Sequence, residues 1–157
     1  GLRFFTVYGP YGRPDMSLFL FTDAILNDRS IDVFGEGKMQ RDFTYIDDLI
    51  KSITLLVECI PNKSIGEFDS ISRDAPYRVV NIGNQEPIKL TEIINLIEQK
   101  FQKKLKIDYL PMQAGDVQFT KSDTTLLEGL INYKPSTDIK NGFNNFCNWY
   151  LNYYHEQ

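Results

Sequence analysis

Arg41 is the residue whose type and setting most suggest chemistry. It lies in Gly35–Asp48, GEGKMQRDFTYIDD, where Lys38 is the only other cation. A guanidinium offers a planar fork of N–H donors, which suits phosphate or carboxylate better than the point charge of a lysine. A Gly-x-Gly turn opens the segment. Asp42, Phe43 and Tyr45 alternate like a short strand, so Arg41 would be presented between a turn and a strand. Asp47 and Asp48 close the segment at the head of an apolar-periodic helix. Carboxylates there suit the positive end of a helix dipole, and a metal site is the alternative. The plainest reading of the stretch is a solvated hairpin leading into a capped helix.

Much familiar catalytic apparatus is missing from these 157 residues. Gly35-x-Gly37 lacks the third glycine of a dinucleotide fingerprint, because Gln40 stands there. The spacing also fails to open directly into a helix. There is no Walker A sequence. The single histidine, His155, lies two residues from the last, which argues against a histidine-based triad or metal site. No tyrosine is followed four residues later by lysine. Cys59 and Cys147 match no metal or redox spacing and read as two reduced cysteines of a cytoplasmic protein.

The elements that must hold Arg41 follow from periodicity. Hydrophobic residues make up 42% and aromatic residues 13%, enough for a packed core. The net charge of −4, with no basic stripe, argues against nucleic acid. An anionic ligand would therefore be held by a few local arginines. No stretch reads as a signal peptide, and no apolar run approaches the ~18 residues of a membrane span.

Residues 2–7 read as a strand buried on both faces, of the kind found in parallel sheets. Such a strand needs neighbours on both sides, so the chain is expected to start in the middle of a fold. A Gly/Pro loop follows, then a helix over 15–29, capped by Asp15 or Ser17. The pattern predicts a strand at 31–34 and a helix over 47–60 with the stripe Leu49, Ile50, Ile53, Leu56, Val57 and Ile60. Residues 61–76 read as a surface loop. Strands are expected at 78–82, 87–90 and 105–110, with a helix capped by Thr91 between the last two. A short helix at 122–127 and a final amphipathic helix after Pro135-Ser136 complete an α/β pattern without repeats.

Three segments carry a resemblance: Leu2–Pro10 continuing into Gly12-Arg13-Pro14-Asp15-Met16, then Arg41-Asp42-Phe43-Thr44-Tyr45-Ile46-Asp47-Asp48, then Asn81-Ile82-Gly83-Asn84. Their order and spacing resemble the extended short-chain dehydrogenase/reductases that act on nucleotide sugars. TVYGPYGRPDM, with Leu110–Val117 and Tyr133–Thr137, is most similar to the UDP-glucuronate 4-epimerases. The resemblance spans essentially the whole chain. It implies the C-terminal, substrate-binding part of such a fold, a single partial domain over 1–157. That part holds the last strands and helix of the Rossmann sheet. The NAD-binding half, with its glycine-rich loop and Tyr-x-x-x-Lys pair, would be absent.

The implied chemistry is epimerisation at C4 of UDP-glucuronate to UDP-galacturonate by transient oxidation. NAD supplies the redox chemistry and would be bound mainly by the other half. The resemblance implies that Arg41 pairs with the pyrophosphate and that Phe34, with the backbone of Asp32 and Val33, lines the uracil slot. Asp116 accepts from the ribose hydroxyls, with Gln113 alongside. Thr6 faces the sugar and Val7 borders the nicotinamide. Arg13, with Thr6, would hold the C6 carboxylate and suppress decarboxylation of the 4-keto intermediate; alternatively it only ties down its Gly/Pro loop. No catalytic or metal-binding residue is expected in these residues.

Two other functions compete: a related nucleotide-sugar decarboxylase or dehydratase, and a non-catalytic UDP-sugar-binding module. Further expectations are an inactive isolated chain that self-associates through an exposed first strand, a homodimeric full-length form, no membrane partner, and a place in capsular polysaccharide biosynthesis.

Overall fold

The computed structural model describes residues 1–154; His155 lies outside the described residues. The strands are β1 (Leu2–Phe4), β2 (Thr6–Tyr8), β3 (Ser30–Phe34), β4 (Gln40–Tyr45), β5 (Val80–Ile82), β6 (Pro87–Lys89) and β7 (Lys106–Leu110). The helices are α1 (Ser17–Leu26), α2 (Ile46–Leu56), α3 (Leu90–Phe101), α4 (Thr125–Ile131) and α5 (Ile139–Tyr154). Parallel pairs join β1 to β5, β2 to β4 and β3 to β7. β6 adds to the free side of β4 in antiparallel register, with Arg41 opposite Ile88.

The expected strand at 2–7 divides at Phe5. Its first part pairs with β5 and its second with β4, so the chain changes partner within one apolar run. β1 is also not buried on both faces. Leu2 and Phe4 remain 42% and 46% exposed. β4, by contrast, is buried from Asp42 through Tyr45 without alternation, because it is central and covered on both faces.

Two cores hold these pieces. The larger gathers α1, α3 and α5 around β2, β3 and β4, with Phe21, Val33, Ile93, Phe143 and Phe146 buried. Replacing either buried phenylalanine of α5 with alanine would cost about 3–5 kcal/mol. Gly142 allows α5 to approach β2, since a Cβ there would overlap the Tyr8 hydroxyl. The smaller core packs α2 and α4 against β5 through Leu49, Ile82 and Leu127.

Several local expectations change. α1 and α3 start after Met16 and Lys89, with no side-chain cap, so neither Asp15, Ser17 nor Thr91 has the capping role. α2 ends at Leu56, and Ile50, Val57 and Ile60 of its expected stripe are exposed. The helix expected at 122–127 is displaced to Thr125–Ile131, because Ser122 is engaged elsewhere. Asp48 does more than complement its own helix. Its carboxylate accepts from the Tyr133 hydroxyl at 2.5 Å and from the amides of Ser136 and Thr137 at 3.2 and 2.8 Å. This ties the start of α2 to the loop before α5. Burial by itself raises the Asp48 pKa, but these bonds together outweigh it and leave it below the usual carboxylate value.

Candidate functional site

β2, β3 and β4 bring their side chains to one cavity of about 280 Å³. Thr6 comes from β2, Asp32 and Phe34 from β3, and Arg41 from β4, with Asp15 at the approach to α1. The turn Gly35–Gly37 between β3 and β4 is a single 3-10 turn. Glu36 takes φ +55° and Gly37 φ +68°, a left-handed reversal that re-aims the chain into β4. It places Phe34 and Arg41 on the same wall.

Arg41 does not stand alone. Its Nη2 donates to Asp116 Oδ1 at 2.7 Å, and its Nη1 donates to its neighbour's carbonyl, Gln40 O, at 3.1 Å. The Asp116 oxygen also accepts from the Val117 amide at 2.8 Å. The pair is only partly exposed, 23% and 31%, so it is screened less than a surface pair. Asp116 arrives on a turn in which its amide donates to Gln113 O at 3.2 Å and Gly115 takes φ +85°. The following segment is bonded along β4. Gln40 N donates to Gln118 O at 2.8 Å, and Thr120 N returns a bond to Gln40 O at 3.1 Å.

Asp42, the residue after Arg41, is a second organising group and was not singled out from sequence. It is fully buried. It accepts from the amides of Asn84, Gln85 and Ser122 at 2.9, 3.1 and 2.7 Å, and from the Ser122 hydroxyl at 2.5 Å. Two loops are thereby fastened beside the cavity. A carboxylate inside a strand of otherwise buried residues was the available signal, since such a group must find donors.

Of the expected site residues, Thr6, Phe34 and Arg41 meet on the cavity wall, and Asp116 joins them through Arg41. Gln113 contributes a backbone carbonyl to the Asp116 turn; its side chain is exposed and off that wall. Arg13 and Val7 border two adjoining hollows instead, one of which also contains Thr6. Arg13 donates through Nε and Nη2 to the two carboxylate oxygens of Asp15, at 3.0 and 2.5 Å. That hydrogen-bonded pairing raises the Arg13 pKa and lowers that of Asp15. Asp15 itself was read from sequence only as a cap. Among the described residues no cluster of potential metal ligands forms.

The mixed α/β frame, with Thr6, Phe34 and Arg41 on one cavity wall, has the fold of the extended short-chain dehydrogenase/reductase epimerases. The UDP-glucuronic acid 4-epimerase of Bacillus cereus, solved with UDP-glucuronic acid and NAD, superimposes with a TM-score of 0.82 at 31% identity. The match covers 98% of this chain and 45% of that one. The model of the NAD dependent epimerase/dehydratase family matches residues 1–83, and the chain belongs to that family.

Protein CapI of Staphylococcus aureus is 50% identical over 158 residues, 98% of this chain and 47% of its own. A probable UDP-glucuronate 4-epimerase of Rhizobium meliloti is 48% identical over 94% of this chain and 45% of its own. The chain thus spans about half the length of the curated relatives it matches.

The family's cofactor is NAD. Val7, Gly9 and Pro10 line an open, largely apolar hollow of about 410 Å³ together with Phe4, Phe5 and Ile46. That wall fits one face of a nicotinamide ring. The Gly35–Gly37 turn leads into β4 rather than into a helix, so it does not offer a helix N-terminus to a pyrophosphate.

Proposed function

We propose that this chain is the UDP-sugar-binding part of an NAD-dependent UDP-glucuronate 4-epimerase, a single partial domain that works with a dinucleotide-binding half. The observation that carries the reading is the convergence of Thr6, Phe34 and Arg41 on one cavity, with Asp116 held on Arg41. Named relatives and solved epimerases over nearly the whole chain support it.

In this reading Arg41 takes the pyrophosphate with its charged fork. Phe34 stacks on the uracil, and Asp116, with Gln113 near it, accepts from the ribose. Thr6 and Arg13 orient the uronate, and Val7 packs on the nicotinamide. Bound NAD accepts the C4 hydride and returns it. The chain's own residues fix the sugar nucleotide so that either face of the keto sugar can be presented. The protein is cytoplasmic, and its full-length form is a homodimer that makes UDP-galacturonate for a capsule. Among the described residues, no helix is long and apolar enough to cross a membrane.

The test is to incubate the full-length protein with UDP-glucuronate and NAD and follow the sugar by proton NMR. Equilibration with UDP-galacturonate is expected. Release of a UDP-pentose would identify a decarboxylase, and an unchanged sugar would leave a binding module. The 157-residue chain by itself is expected to be inactive and to self-associate through β1.

A further inference from the structure

Arg13 presents its two donor edges unequally. Nε and Nη2 form a side-on, bidentate pair with Asp15, at 3.0 and 2.5 Å, whereas Nη1 makes no hydrogen bond among the described residues. Asp15 stands on the wall of the main cavity beside Thr6 and Arg41. Arg13 lies behind it, on the two adjoining hollows that also hold Val7 and Gly9. The two residues are separated only by Pro14, whose ring fixes φ and stiffens the link between them.

A guanidinium held along its Nε/Nη2 edge is restricted in the orientation of its plane. The remaining end-on edge, Nη1 with the outer hydrogen of Nη2, can still accept a second planar anion. An unclamped arginine would lose several rotamers' worth of freedom on gripping the same anion.

We propose that Asp15 is a positioning residue for substrate charge: it clamps the side-on edge of Arg13 and leaves the end-on edge for the carboxylate of a uronate. The inference rests on the reading of the protein as a uronate epimerase. It adds that discrimination between a uronate and an uncharged hexose depends on Asp15 as well as Arg13. The apparent paradox, a carboxylate assisting the binding of a carboxylate, follows from the two edges. The acidic group neutralises part of the guanidinium charge but leaves the end-on edge of Arg13 without a partner.

Both side chains are largely exposed, 75% and 62%, so their pairing contributes little to folding and the variants should fold. The experiment measures kcat/KM for UDP-glucuronate and Kd for UDP-glucuronate, UDP-glucose and UDP. It uses the full-length enzyme carrying Asp15→Ala, Asp15→Asn, Asp15→Glu, Arg13→Ala or Arg13→Ala with Asp15→Ala. Asp15→Ala is expected to weaken UDP-glucuronate binding about 3- to 10-fold. UDP-glucose and UDP should change less than about 2-fold, since no uronate contact is lost with them. Asp15→Asn, keeping one acceptor, should fall between, and Asp15→Glu should restore part of the loss. With Arg13 already replaced, removing Asp15 should have no further effect.

Unchanged or tighter UDP-glucuronate binding in Asp15→Ala overturns the proposal, tighter binding showing that Asp15 competes for Arg13. Equal loss for UDP-glucose, or losses that add in the double variant, also overturns it. A wild-type protein that does not prefer UDP-glucuronate over UDP-glucose overturns the epimerase reading first, and the role of Asp15 with it. A wild type with the preference and an unaffected Asp15→Ala overturns only the role of Asp15.

Discussion

Asp42 and Ser122 are 80 residues apart in sequence, yet Asp42 Oδ2 accepts from both the amide and the hydroxyl of Ser122, at 2.7 and 2.5 Å. With the amides of Asn84 and Gln85 on the same carboxylate, one side chain fastens the loops after β5 and before α4 to β4. Asp42→Ala leaves those donors without their acceptor in a buried place. We expect a loss of roughly 3–5 kcal/mol in urea unfolding. A loss below about 1 kcal/mol, the size of one ordinary hydrogen bond, would mean water replaces the carboxylate.

The contact between Arg41 and Asp116 makes their ligand contributions dependent on each other. Arg41→Ala is expected to weaken UDP binding by about 10- to 100-fold, the loss of a charge-assisted phosphate bond. Asp116→Ala should weaken it less. In a double-mutant cycle measured by calorimetry, the two should couple by more than about 0.5 kcal/mol. Additive effects would show that Asp116 acts on the ligand without help from its hold on Arg41.

Asp48 makes the link between α2 and the 133–137 loop sensitive to acid. Its folded pKa lies below the usual value, through the net effect of bonds from Tyr133, Thr137 and Ser136 working against burial. A depressed carboxylate contributes stability that is present above the unfolded pKa, about 4, and lost as pH falls through the folded value. The wild type should therefore lose stability on acidification below about pH 4 more steeply than Asp48→Asn. Parallel melting-temperature curves for the two proteins would count against this.

The two cysteines should differ in reactivity. Burial pushes the Cys147 thiol up to about 12, and its side chain is enclosed in the main core. Cys59 is only partly buried, next to the open end of α2. In the folded protein at neutral pH, iodoacetamide should label Cys59 and leave Cys147 untouched until unfolding, because only accessible thiolates react. Early modification of Cys147, read by peptide mass, would contradict the packing of α5.

The α/β class, most element positions and the place of Arg41 between a glycine turn and a strand were legible in the sequence. Each depends on neighbours within a few residues: apolar periods mark α2, α3 and α5, and the Gly-x-Gly turn followed by an alternating run marks the strand that carries Arg41. The resemblance carried by GRPDM and RDFTYIDD pointed to the family, which the matched model at residues 1–83 bears out. What the tertiary structure decided is who meets whom across long separations. The pairing of β1 with β5, the burial of Asp42 under Ser122 and the pairing of Arg41 with Asp116 join segments about 75 to 80 residues apart. No local pattern encodes such a meeting. A hydrogen bond is selected only when packing has removed the water that would otherwise satisfy the same groups.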